Sequence, residues 1–317
     1  MKEINKTVTI GICCFNAEIF IIDAIESALK QTWLKKEIIV VDDCSTDNSL
    51  QKIINSGYID QIKLLKNKKN KGPAFTRNRI IKEANGEFIC FFDDDDISEP
   101  TRVEDQLNSV LKAGYPQKKF IISTCSIKRN YKSGYSLILK SMGCNGNLPK
   151  KNQLADYLLF SQKVKGTDFG FCTPTCSMFL TKSCFESAGL FDESLRRVED
   201  VDISIRFSLK GFIFTNVERI LVNQRSTSGS DKSPNMNLDS EIAVIKKYKS
   251  YLSKKGLYLY SRLWPYLRFF HFKRNYFFLL FILLFLVIRY PNRALYNFFK
   301  SATRRFLHER GIKRGKG

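Results

Sequence analysis

Short apolar runs alternate with amphipathic helical stretches over the first hundred residues, and this alternation restricts the fold more than any other feature of the chain. Val8 to Phe15 is apolar and uncharged, as a strand covered on both faces must be. Asn16 suits a helix cap, and Ala17 to Leu29 sets Ile21, Ile22, Ile25 and Leu29 on one side of a helix. Glu37 to Val41 reads as a second buried strand ending in Asp42 and Asp43. Ser45 to Asp47 starts another helix, and Ile62 to Leu65 forms a third strand. Gly72-Pro73 opens a helix that Asn85-Gly86 closes, since Pro is tolerated in a first helical turn and Asn-Gly favours a stop. Glu87 to Phe92 is a fourth strand and runs straight into Asp93, Asp94, Asp95 and Asp96. This order predicts an α/β fold, a mostly parallel Rossmann-like sheet flanked by helices. Ligands of such sheets bind at the carboxyl ends of the strands, so Asn16, Asp42 and Asp93 are expected to meet in one crevice.

Beyond residue 105 the pattern loosens. Phe120 to Ile127 and Ser177 to Thr181 read as strands, Asn152 to Phe160 and Val198 to Lys210 as helices. Ser226 to Asn237 is rich in Ser, Gly, Asn and Pro, and is expected to be a loop and a boundary. The expected organisation is therefore a nucleotide-binding half over 1–105, an acceptor-binding half of the same domain over 106–235, and a basic helical C-terminal region over 236–317.

Charge sharpens the last division. The chain carries a net +21, of which +17 lies from Lys246 onward, where Glu309 is the single acidic residue. A surplus of this size asks for an anionic partner. The same region holds 13 uncharged apolar residues, Tyr276 to Ile288, flanked by Arg268, Lys273, Arg274, Arg289 and Arg293. A spanning helix needs about 20 such residues, so the segment is expected to lie in the interface of an anionic membrane, with Trp264, Tyr266, Tyr276 and Tyr290 as interfacial aromatics. A buried core or oligomer helix is the alternative. Nine cysteines are an odd number and fall mostly in apolar runs. Cys172 and Cys176 lack a second pair or a nearby His, so reduced, buried thiols in a cytoplasmic protein are expected rather than zinc or disulfides. The apolar run from Val8 is cut by Asn16 and Glu18 and does not read as a secretory leader.

Four consecutive aspartates at the end of a buried strand are the sharpest chemical signal. Carboxylates packed this closely repel one another unless a cation intervenes. An oxygen-only set suits a hard ion, Mg2+ or Mn2+, which then engages substrate phosphates.

Six segments in order, "VTIGICCFNAE", "AIESALKQTW", "EIIVVDDCSTDNS", "NKGPAFTRN", "ANGEFICFFDDDD" and "GLFDESLRRVEDVDISIRFSLKG", resemble the family 2 glycosyltransferases of the GT-A fold. The resemblance covers roughly residues 6 to 230 and is of the bacterial surface-polysaccharide type. It implies an inverting, metal-dependent hexosyl- or N-acetylhexosaminyl-transferase that takes a UDP-sugar. By that resemblance Phe15 stacks on the base with Asn16 and Glu18 near it, and Asp42 bonds the uracil or ribose, with Asp43 a weaker candidate. Arg77 faces the nucleotide or diphosphate, and Asp93, Asp94 and Asp95 fill the DxD position, Asp93 at the ribose and metal and Asp95 on the metal. Asp96 is placed just behind them. Asp200 is the implied general base, with Glu199, Asp202 and Arg225 on the acceptor side; Asp202 can instead pair with Arg206 one turn on. Ser228 is a further contact in the same loop as Arg225. The processive-synthase pattern Q-x-x-R-W is absent, since no Trp follows Gln224-Arg225-Ser226, which implies addition of a single sugar. Cys13 stands where many relatives carry Pro, a difference of packing.

The implied acceptor is a glycan, lipid-linked if the C-terminal region docks on a membrane, and the implied location is the inner face of the cell membrane. Transfer to a polyprenyl phosphate is the alternative within enzymes. A nucleotidyltransferase would want a basic Gly-rich loop after the first strand, and "CCFNAE" offers none. A nucleic-acid-binding protein using the basic tail is the non-enzymatic alternative; the apolar run has no use on a phosphate backbone, so no nucleic-acid partner is expected. His271 and His308 lie outside every motif and take no role.

Overall fold

The computed structural model describes residues 6–227 and 233–314. The strands are β1 (Val8–Cys14), β2 (Lys36–Asp42), β3 (Lys63–Lys66), β4 (Phe88–Asp93), β5 (Ile97–Ser98), β6 (Ile121–Asn130), β7 (Ser136–Leu139), β8 (Phe179–Thr181) and β9 (Ile213–Arg225). They form one sheet in the order β3-β2-β1-β4-β8-β6-β9-β5, with β7 paired to β6. The first four strands are mutually parallel, β8 runs against β4 and β6, and β9 is parallel to β6. Six strands thus share one direction, which is the mostly parallel sheet expected.

Alternating residues of these strands face two helical layers, as a period of two requires. Ile10, Ile12, Val40, Phe88 and Cys90 pack against α1 (Ile21–Leu29) and α4 (Arg102–Lys112). Ile39, Val41, Ile89 and Phe91 pack on the other face, against α3 (Pro73–Glu83) and α7 (Glu199–Leu209). Gly11 lets α3 approach β1, since a Cβ there would collide with Ile80. Three shorter helices, α2 (Ser49–Ile54), α5 (Gln153–Phe160) and α6 (Ser183–Ala188), complete this body.

Five helices follow: α8 (Pro234–Lys247), α9 (Lys249–Lys254), α10 (Tyr258–Phe272), α11 (Tyr276–Arg289) and α12 (Pro291–Arg314). Their first members are continuous with the body. Val244, Ile245, Leu252 and Tyr260 join Ala155, Leu159 and Phe160 of α5 and Ile205 of α7 in one buried cluster. Sequence and structure differ at two boundaries. The loop expected over Ser226–Asn237 gives way at Pro234, where Ser233 Oγ accepts from Met236 N at 3.2 Å and caps α8. Strand β9 carries no continuous apolar run, because most of it is only half-buried, and it was not apparent from sequence.

Candidate active site

The carboxyl ends of β1, β2 and β4 lie side by side, with Cys13 opposite both Val41 and Asp93. The acidic run that closes β4 is therefore held at the crevice. Asp94 accepts from Phe15 N at 2.9 Å, which fixes the turn after β1, and Phe15 is 44% exposed. Asp95 accepts from Thr227 Oγ1 at 2.7 Å. Asp96 is 3% exposed; its Oδ1 accepts from Arg225 N at 3.1 Å, while Oδ2 has no hydrogen-bond partner among the described residues. Burial pushes the Asp94 carboxyl up to about 8, reinforced by Asp95 and Asp93. Burial, with Asp93 and Asp95, does the same to Asp96, also to about 8. So many acidic groups with so little compensation fit a cation between them. Asp93, Asp96 and Cys176 bring ligand atoms within 4.8 Å of one another. Burial holds the Cys176 thiol far above its ordinary pKa, so it stays protonated, and a hard cation would rely on the carboxylates. Asp96, expected only behind the site, thus sits with Asp93 in this group, while Asp95 holds Thr227.

The residues expected around the nucleotide build the floor of the crevice. Asn16 adopts a positive φ of 52° and does not cap α1, which begins at Ile21; its side chain accepts from Thr46 N at 2.8 Å. Glu18 accepts from Asn48 N at 3.1 Å. Both therefore hold the loop after β2 against the turn after β1. Asp42 is fully buried and accepts from Ser45 N at 3.3 Å. Asp43 accepts from Asn67 Nδ2 at 2.7 Å, Lys71 N at 3.0 Å and Gly72 N at 2.7 Å, pinning the loop that enters α3. Beside it opens a cavity of about 570 Å3 lined by Lys66, Asn67, Lys68, Lys69, Lys71, Phe75 and Arg79.

Arg77 connects α3 to the start of α7 and to the end of β4. It lies one turn into α3, is 8% exposed, and donates from Nη1 to Glu199 Oε1 at 2.5 Å, with Nη2 3.6 Å from Asp93 Oδ1. Burial alone would lower its pKa; Glu199, Cys13 and Asp93 outweigh that and hold the guanidinium above its ordinary value. Asp200 follows at the start of α7, its Oδ1 accepting from Val201 N at 2.8 Å. Burial, then repulsion from Glu199, raises its carboxyl to about 7, against the pull of Arg77. Asp202 is fully buried and spoken for: it accepts from Arg206 Nε at 3.1 Å, Lys247 Nζ at 3.0 Å and Tyr248 Oη at 2.9 Å. The i+4 pair with Arg206 forms, and the carboxylate ties α8 to α7. Arg225 pairs with Asp23 of α1 at 2.8 Å and lies 4.9 Å from the Phe20 ring. Ser228 lies outside the described residues.

Two contributors were missed in the sequence. Arg102 is fully buried behind the acidic run, donating to Phe91 O, Ser98 Oγ and Gln106 Oε1, and it sits 4.5 Å from the Phe92 ring. Its signal was an Arg four residues from Gln106 on the apolar face of α4. Thr227, in contrast, had none.

The chain matches known proteins over the same region. The family model described as glycosyl transferase family 2 covers residues 9–185. EpsE of Bacillus subtilis (strain 168) is 29% identical over 73% of this chain and 77% of its own length. The UDP-Glc:alpha-D-GlcNAc-diphosphoundecaprenol beta-1,3-glucosyltransferase WfgD of Escherichia coli is 43% identical over 31% of this chain and 38% of its own. An S. aureus TarS structure superposes with a TM-score of 0.57 at 21% identity, covering 76% of this chain and 39% of that one. The likeness to TarS extends to the fold.

Proposed function

Because the chain belongs to glycosyl transferase family 2, we propose that it is an inverting transferase that moves one hexosyl or N-acetylhexosaminyl unit from a UDP-sugar to a lipid-linked glycan in surface-polysaccharide synthesis. The observation that carries this reading is the chain Asp93, Arg77, Glu199 at the start of α7, which sets Asp200 beside the strand-end crevice. A carboxyl raised to about 7 is suited to take a proton from an acceptor hydroxyl near neutral pH. Attack by that oxygen on the anomeric carbon expels the nucleoside diphosphate and inverts the centre.

The exposed Phe15 ring offers a stacking face for uracil, and the lysine-lined cavity next to Asp43 supplies cations for an anionic donor. Asp42, Asn16 and Glu18 shape the loop on which the nucleotide lies. Asp93, Asp95 and Asp96 are the residues that would hold Mg2+ or Mn2+, and the unpartnered Asp96 oxygen is the orphan such an ion would satisfy. The ion, when bound, neutralises the charge growing on the departing diphosphate. Asp202 is left out of the acceptor set, because its carboxylate has no exposure. Glu199 serves through Arg77, and Arg225 through Asp96 and Asp23, as positioning residues.

Support for a lipid-linked acceptor comes from WfgD, whose name specifies a diphosphoundecaprenol-linked acceptor, and from the C-terminal helices. Of α11 only Leu279 and Leu286 are buried; Phe277, Leu280, Phe281, Leu284 and Ile288 are all more than 60% exposed or at that value. No helix among the described residues is long and apolar enough to cross a membrane. A large exposed apolar patch in a strongly basic setting fits attachment to the inner face of an acidic bilayer. The test is transfer of labelled sugar from UDP-sugars into extracted lipid, followed by mass spectrometry. Label on a glycan-bearing lipid diphosphate is expected. A lipid carrying one phosphate and one sugar would instead favour polyprenyl-phosphate transfer, and no labelled lipid would contradict both.

A further inference from the structure

One group of cations lies apart from the donor crevice and has no assigned use. Lys163, in the turn after α5, lies within electrostatic range of Lys300 and Arg304 of α12. Lys163 titrates at about 8, lowered first by burial and then by Lys300 and Arg304. None of the three makes an ion pair with a carboxylate within 4.0 Å among the described residues; Asp168 offsets the charge on Lys163 only weakly, its effect being the smallest. Next to them opens a cavity of about 310 Å3 lined by Ser161, Gln162, Lys163, Asn292, Arg293, Tyr296 and Asn297. Its frame is rigid: Arg293 donates to Phe160 O at 3.1 Å and Gln162 Oε1 at 2.6 Å, and Asn297 donates to Tyr260 Oη at 3.0 Å. Like charges held together beside a cavity, with no carboxylate paired to them among the described residues, fit an anion supplied from outside.

Two relations indicate which anion. First, Arg293, Asn297, Lys300 and Arg304 are spaced four, three and four residues apart and form one stripe of α12, while Leu295, Phe299, Ala302 and Phe306 form another. Leu295, Phe299 and Phe306 are 42%, 65% and 64% exposed. The helix thus carries cations along one stripe and an exposed apolar surface along another, which suits an amphiphile with an anionic head and a hydrocarbon tail. Second, the cluster reaches the reaction centre. Arg304 lies within electrostatic range of Tyr157 in α5, and Cys172 within that of both Arg304 and Asp200.

We propose that Lys163, Arg293, Lys300 and Arg304 bind the phosphate or diphosphate that joins the acceptor to its lipid, and so deliver the acceptor sugar to Asp200 from the α12 side. This rests on the lipid-linked acceptor reading above. The stripe on α12 would follow the lipid, and Arg304 would stand between its phosphate and the base.

The test uses the full chain and farnesyl diphosphate, a soluble lipid diphosphate, in titration calorimetry, comparing the native protein with Lys163→Gln/Lys300→Gln/Arg304→Gln. Binding to the native protein is expected, and at least about tenfold weaker binding to the variant. Removing mutually repelling charges should leave Tm unchanged or raised, which guards against a folding defect, and the single variant Lys300→Gln should show the same direction. No binding to the native protein, or a change under about twofold in the variants, would overturn the proposal. Inorganic pyrophosphate bound as tightly as farnesyl diphosphate would overturn it as a lipid-phosphate site. Loss of pelleting with phosphatidylglycerol vesicles while farnesyl diphosphate binding persists would also overturn it, assigning the cluster to bulk headgroups. Donor hydrolysis is measured alongside: its absence in the native protein would sink the transferase reading, whereas the farnesyl diphosphate result decides the site either way.

Discussion

Glu199 and Asp200 are neighbours in the chain, yet their surroundings give them opposite tasks. Glu199 is buried against Arg77 as part of a bridge, while Asp200 makes no such bridge among the described residues and its carboxyl rises to about 7. If Asp200 is the base, Asp200→Asn keeps donor binding and slows transfer by about 10²–10⁴-fold, measured as label transferred at saturating donor. Activity of the native protein should also fall as pH drops through about 7, where Asp200 takes up a proton. Its effect on stability has the opposite sign. A carboxyl whose folded pKa lies above its unfolded value disfavours the fold once ionised. Asp200→Asn should therefore raise stability at pH 8 by roughly 1–3 kcal/mol and change little below pH 4, as read from denaturant melts. Arg77→Ala leaves Glu199 buried without its cation, and a loss of about 3–5 kcal/mol is expected in the same melts.

At the level of elements, the sequence disclosed the first four strands and the helices between them because their signals are local. Val8–Cys14 and Phe88–Asp93 are continuous apolar runs, and the aspartates that end β4 interrupt such a run abruptly. What it hid depends on distant partners. Arg77 and Glu199 are 122 residues apart, and no periodicity links them. Asn16 satisfies the local rule for a cap but is drawn instead to Thr46, because the turn after β1 must meet the loop after β2. Strand β9 escaped notice since its residues are half-buried and mixed in polarity, with the parallel pairing to β6 supplying what its side chains do not. The C-terminal helices show the same dependence on contacts. Lys247 of α8 reaches both Asp192 and the fully buried Asp202, at 2.7 and 3.0 Å. Lys247→Ala should lower stability by about 2 kcal/mol, as Asp202 retains Arg206 and Tyr248 but loses one charge. Its Asp192 partner, held down to about 2 first by the Lys247 hydrogen bond, contributes stability above pH 4 that is lost as pH falls towards 2.

The whole molecule separates its charge by function. Acidic groups gather at the crevice between the strand ends, while the excess of cations lies on the helices that carry the exposed apolar surface. Because α8 to α10 share a buried cluster with α5 and α7, truncating them would expose that core. Phe277→Asp/Phe281→Asp/Leu284→Asp, on the exposed side of α11, should instead abolish pelleting with phosphatidylglycerol vesicles and leave Tm unchanged; full pelleting would remove the membrane from this account. The central claim, metal-assisted transfer from a UDP-sugar, is tested most directly by measuring UDP released from a panel of UDP-sugars, with Mg2+ or Mn2+ present and again in excess chelator. Release that depends on the metal and vanishes in Asp95→Ala is predicted; no release from any UDP-sugar, or release indifferent to chelator, would contradict it.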